Sequence, residues 1–67
     1  MTTKTAKEWY NCGYDVDAKD KKQAYEFYKK ANEADPKYAN AYFGMAACQK
    51  TFKEYDNALE NYDKYIK

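Results

Sequence analysis

An all-α fold of two antiparallel helix–turn–helix hairpins, four helices in total, is predicted from this sequence by three observations. The stretch Ala24-Tyr25-Glu26-Phe27-Tyr28-Lys29-Lys30-Ala31 returns 34 residues later as Ala58-Leu59-Glu60-Asn61-Tyr62-Asp63-Lys64-Tyr65, with Ala24/Ala58, Glu26/Glu60, Tyr28/Tyr62 and Lys30/Lys64 identical. A second match runs upstream at an offset of 33, where Trp9/Tyr42, Tyr10/Phe43, Cys12/Met45 and Gly13/Ala46 pair like with like. Within each copy the apolar residues recur at three- and four-residue spacing, the signature of one helical face. A fixed period of this length marks a helical hairpin that cannot bury its apolar face alone and so stacks on its neighbour.

The elements follow in order. Thr5-Ala6-Lys7-Glu8 reads as a capping box, the Thr5 hydroxyl taking an early backbone N–H while Glu8 reaches back to that of Thr5. The first helix begins there, carries Trp9, Cys12, Gly13 and Val16 on one stripe and runs through about Ala18. Gly13 costs helix propensity, about 1 kcal/mol relative to Ala. Close approach of another backbone is the usual reason to tolerate it.

Asp17-Ala18-Lys19-Asp20 forms the first turn, and Asp20 with Gln23 caps the second helix. That helix runs to about Ala34, facing Ala24, Phe27 or Tyr28, and Ala31 inward, with Lys21, Lys22, Lys29 and Lys30 on the wet side. Asp35-Pro36 ends it, because proline supplies no N–H and disfavours helical geometry in the residue before it. The third helix starts at Tyr38 or Ala39 and ends near Thr51, with Tyr42, Met45, Ala46 and Gln49 on its stripe. Phe52-Lys53 makes the second turn, without the glycine such a turn favours. Glu54 to about Ile66 forms the fourth helix, with Tyr55, Ala58, Leu59, Tyr62, Tyr65 and Ile66 as its apolar residues.

These residues resemble the tetratricopeptide repeat, whose pattern is Trp, two residues, Leu-Gly, two residues, Tyr, then Ala, three residues, Phe, and finally Pro. The first copy reads Trp9, Cys12-Gly13, Val16, Ala24, Tyr28 and Pro36; the second reads Tyr42, Met45-Ala46, Gln49, Ala58 and Tyr62. Gln49 stands where an aromatic is usual. The resemblance covers about residues 6 to 67 and implies a short right-handed solenoid, with residues 1–67 as one domain: repeat one about 5–37, repeat two about 38–67. Two departures stand out. The first copy is one residue short between its helices and has Lys21 where the second has Tyr55, which predicts a splayed first hairpin or an irregular turn in it. Two repeats also fall short of the three expected for stability, and these residues include no capping helix.

Composition excludes several functions. Twelve Lys against eleven Asp and Glu give a net charge of +1 with no long run of either sign, unlike the basic patch of a nucleic-acid or anionic-membrane binder. No stretch nears the roughly 20 apolar residues of a membrane span, and no apolar signal core follows Met1; a cytoplasmic protein is expected. The chain contains no Ser, His or Arg. The usual catalytic triads and the bidentate phosphate fork are therefore out of reach, no cofactor is implied and no enzyme is expected. Asp15-Val16-Asp17 with Glu26 is a poor calcium loop, since Lys19 and Asp20 occupy places that want an oxygen ligand and a glycine. Cys12 and Cys48 follow no metal spacing and are expected as free thiols, a single disulfide being the alternative.

By resemblance, a peptide or a partner helix binds on a concave face lined by Lys7, Tyr10, Tyr14 and Asp17 from the first helix and by Asn40, Phe43, Ala47, Lys50 and Thr51 from the third. Geometry alone puts the first four on one helical face. The chaperone-binding members of the family grip a peptide carboxylate with Lys and Asn; the matching positions here are Tyr10, Tyr14 and Gly44, so that clamp is absent. Leu59, Tyr62 and Ile66 form a second surface, covered either by a continuation of the chain or by a second copy. The expected function is a non-catalytic protein–protein interaction module with an aromatic groove. The alternatives are a self-assembling unit that dimerises or exchanges domains through its fourth helix, and an engineered minimal repeat with no natural ligand.

Overall fold

A computed structural model describes residues 4–66 of the chain. Those residues are helical throughout apart from the turns: α1 is Ala6–Val16, α2 Lys21–Ala34, α3 Ala39–Thr51 and α4 Tyr55–Ile66. The ends follow the local chemistry. The Glu8 amide donates to Thr5 Oγ1 at 3.2 Å and the Thr5 amide to Glu8 Oε1 at 2.9 Å, so the capping box forms in both directions. Asp20 caps α2 by accepting from the Gln23 amide at 3.1 Å. α1 stops at Val16 rather than near Ala18 because the Lys19 and Asp20 amides both turn back to the Val16 carbonyl, at 3.0 and 2.8 Å.

Asp35 ends α2 in extended geometry and its side chain accepts from the Lys37 amide at 3.0 Å. Across the same loop the Tyr42 hydroxyl donates to the Pro36 carbonyl at 2.8 Å, which ties the start of α3 to the connection between the hairpins. The second turn is a Schellman motif: the Glu54 amide reaches Gln49 O at 2.8 Å, the Lys53 amide reaches Lys50 O at 3.0 Å, and Lys53 takes the left-handed conformation at φ 66° that usually falls to glycine.

α1 packs along α2, and α3 along α4, to the same extent; α2 also packs on α3, and α1 meets α3 at fewer places. The splaying expected of the first hairpin is therefore not found. Its short turn is clasped instead, for Asp17 pairs with Lys21 and accepts a hydrogen bond from Tyr28 Oη at 2.7 Å. α3 touches all three other helices. That position explains its composition, since Ala41, Gly44, Met45, Ala46, Cys48 and Gln49 are all buried and a helix apolar on most sides belongs in the interior. Gln49, the weak anchor of the pattern, is held there by a hydrogen bond from Asn61 Nδ2 to its Oε1 at 2.6 Å, which joins α3 to α4.

The centre of the core is Tyr28, only 2% exposed, with Ala24 and Ala31 completely buried beside it. Of the two candidates on α2, Tyr28 enters the interior; Phe27 stacks on Trp9 at 5.9 Å at the half-buried margin. Cys12 and Cys48 are free thiols. Burial, followed by the nearby Asp17 charge, pushes the Cys48 thiol up to about 11, so it sits in the core as a neutral small hydrophobe.

Candidate functional site

Tyr28 shapes the site because α1 and α3 both carry a glycine against its ring. A Cβ on Gly13 would stand 2.6 Å from Tyr28 Cε1, and one on Gly44 would stand 2.6 Å from Tyr28 Cγ. The ring thus lies between the two helices, and a Cβ on Gly13 would also stand 3.1 Å from the Ala24 carbonyl. Above it, the edges of α1 and α3 leave a concavity of about 360 Å³. Tyr10 and Tyr14 come from α1, Asp17 and Ala18 from the turn after it, and Phe43, Gly44 and Ala47 from α3, with Tyr28 as the floor.

The rings that form it are braced from behind. Tyr10 lies 5.3 Å from Tyr28 and 5.9 Å, edge on, from Tyr38. Phe43 meets Tyr65 at 5.1 Å and Tyr62 at 5.9 Å, both nearly edge to face, a favoured aromatic arrangement. Tyr14 is the outlying wall, 69% exposed. Among the described residues Asp17 is the one carboxylate on the lining. Burial pushes its carboxyl up, but hydrogen bonds from Lys21 and Tyr28, together with the Lys21 charge, outweigh that and hold it below its ordinary value. Burial and then the bond to Asp17 push the Tyr28 phenol far up, and burial raises that of Tyr10.

Five of the residues expected on the concave face, Tyr10, Tyr14, Asp17, Phe43 and Ala47, converge on this recess. The others do not line it. Lys7 belongs to a broader and more open depression at the start of α1, beside Trp9 and Lys30. Asn40 and Lys50 are exposed on α3 away from the lining, and the Thr51 hydroxyl donates to the Ala47 carbonyl at 3.2 Å. Asp17, expected as a surface contact, is also the internal acceptor for Tyr28. Ala18, Tyr28 and Gly44 are the lining residues that the helical-face argument misses. A mid-helix glycine was the available signal for Gly44; nothing local announces that Tyr28 reaches the floor.

The proposed association surface is not separate from the recess. Tyr62 is half-buried against Phe43, while Leu59 at 67% and Ile66 at 79% are exposed. Among the described residues no group of His, Cys, Asp or Glu side chains is placed to hold a metal ion, and no helix is long and apolar enough to cross a membrane. Compared with known proteins, the chain matches no family model, no curated protein and no solved structure.

Proposed function

We propose that the chain is a non-catalytic protein-interaction module of the tetratricopeptide-repeat kind, working in the cytoplasm without a cofactor, and that its recess holds an extended segment or a helix of a partner protein. The observation that carries this reading is the convergence of Tyr10, Tyr14 and Phe43, from two helices, on one concavity of about 360 Å³. Rigid aromatic rings lose little conformational entropy on binding and are enriched among the residues that dominate interfaces. The ring contacts behind Tyr10 and Phe43 favour a preformed site, which lowers the cost of association.

The test starts from peptides selected against the whole chain from a random display library. Tyr14→Ala should weaken the selected peptides by about fivefold or more, equivalent to about 1 kcal/mol, with the circular dichroism spectrum unchanged because Tyr14 is mostly exposed. Peptides whose affinity survives both Tyr14→Ala and Phe43→Ala would remove the groove from consideration.

A second reading rests on α4. Leu59 and Ile66 are exposed on a helix that, among the described helices, packs against α3 alone, and large apolar side chains on one face favour association. On this reading the partner is a second copy of the chain.

A further inference from the structure

We propose that the recess selects a positively charged anchor, an arginine side chain of the partner segment, held by the faces of Tyr10, Tyr14 and Phe43 with its guanidinium toward Asp17. The inference deepens the groove reading and depends on it. Three features of the site support it.

The first is charge. Among the described residues no lysine lines the recess, whose lining carries a single formal charge, the Asp17 carboxylate. Lys7 and Lys50, expected to flank it, do not border it. The second is that two of the other aromatic rings carry an internal cation. Lys4 and Lys30 stand over the Trp9 ring at 4.9 and 5.4 Å, and Lys64 over Tyr42 at 5.7 Å. Among the described residues no lysine stands over Tyr10, Tyr14 or Phe43. Cations, which aromatic faces attract, are thus supplied from within the chain at Trp9 and Tyr42 and, among the described residues, not at the recess.

The third is the end of α1. Tyr14 and Asp17 sit at its C-terminus, the negative end of the helix dipole, and its last turn holds no basic residue. Arginine suits the site better than lysine: its planar guanidinium stacks on aromatic rings, is weakly hydrated and forks onto a carboxylate. Asp17 already accepts from Tyr28 Oη through Oδ2 and from Lys21 through Oδ1. Each carboxylate oxygen has room for a second donor, and Lys21 is the internal cation with which the incoming one competes.

The experiment is an NMR titration of the intact chain with the capped pentapeptide Gly-Gly-Arg-Gly-Gly and with the same peptide carrying citrulline or leucine in place of arginine. Citrulline keeps the shape and removes the charge. The arginine peptide should move the ring resonances of Tyr10, Tyr14 and Phe43 and bind at least about fivefold tighter than the citrulline peptide, the size of a single cation–π contact. Tyr14→Leu, which keeps an apolar wall at an exposed position, should remove that preference, and Lys21→Gln should increase it. A leucine peptide that binds the same rings as tightly as the arginine peptide would overturn the cationic anchor and leave the groove standing. Arginine-dependent shifts confined to residues outside the recess would overturn the anchor alone. Absence of shifts at these rings with all three peptides, up to about 10 mM, would overturn both.

Discussion

The Tyr28 ring lies where a side chain on Gly44 would have to be: a Cβ there would stand 2.6 Å from Tyr28 Cγ and within 2.8 Å of both Cδ atoms. These atoms are at the root of the side chain, so the ring cannot swing clear unless α2 moves. Gly44→Ala would gain about 1 kcal/mol of helix propensity. It should nevertheless destabilise the fold by a net ~1–3 kcal/mol through overpacking. Urea unfolding decides it, and an unchanged or higher midpoint would mean that α2 and α3 part without strain.

Tyr28→Phe keeps the ring and deletes the hydroxyl that donates to Asp17. The loss of a hydrogen bond to a charged, partly buried acceptor should cost about 1–2 kcal/mol. The variant also bears on alkaline behaviour. The Tyr28 phenol is raised above its ordinary value of 10.0, so the stability linked to it is complete below pH 10 and is lost as pH rises beyond that point. Phenolate absorbance should find one tyrosine that ionises only as the helices melt, and in Tyr28→Phe that late step should be missing.

Asp17 gives the opposite limb. Its folded carboxyl lies below the ordinary 3.8, so its contribution is present above about that pH and disappears as pH falls toward the lower folded value. Asp17→Asn should flatten the stability profile below pH 4 while leaving it nearly level above pH 5. A profile parallel to that of the parent chain would show that Asp17 is as well accommodated protonated as ionised.

Lys53 occupies the glycine place of a Schellman motif with φ 66°. Side chains with a Cβ are disfavoured there by about 1–2 kcal/mol, whereas glycine gives part of that back through the greater freedom of the unfolded chain. Lys53→Gly should raise stability by about 0.5–1 kcal/mol, read as a higher thermal midpoint without a change in the groove resonances.

Leu59 and Tyr62 bear on self-association differently. If a second copy covers α4, Leu59→Lys should convert a concentration-dependent mass, measured by sedimentation, into that of the 7.9 kDa monomer. Tyr62→Ala should also disturb Phe43, which it braces at 5.9 Å, and so should weaken peptide binding as well. A monomeric parent chain at all concentrations would remove the second-copy reading.

The four helices were legible because their signals are local. Thr5 and Glu8 are three residues apart, as are Asp20 and Gln23, and Asp35-Pro36 stops a helix whatever surrounds it. The repeat likewise paired Tyr28 with Tyr62 before any packing was known. Their environments nevertheless differ: Tyr28 is enclosed by α1 and α3, while Tyr62 has α3 alone behind it. Of the site, Tyr10, Tyr14 and Phe43 were expected from the family resemblance, helical spacing adding only that Tyr10 and Tyr14 share a face. Lys7 shares their face of α1 but lies too far toward its N-terminus to border the recess.

The sequence by itself determined the helices, the N-caps of the first two, the order of the hairpins and the absence of the residues on which the usual triads rely, because each depends on residue type and on spacing of a few positions. The tertiary structure alone decided that Tyr28 rather than Phe27 fills the centre, that Asp17 clasps a turn one residue short, and that Gly13 and Gly44 clear the space above which the recess opens. Those outcomes depend on the separation and rotation of helices far apart in the chain, which are set by how one ring fits between two backbones. No local pattern encodes that distance.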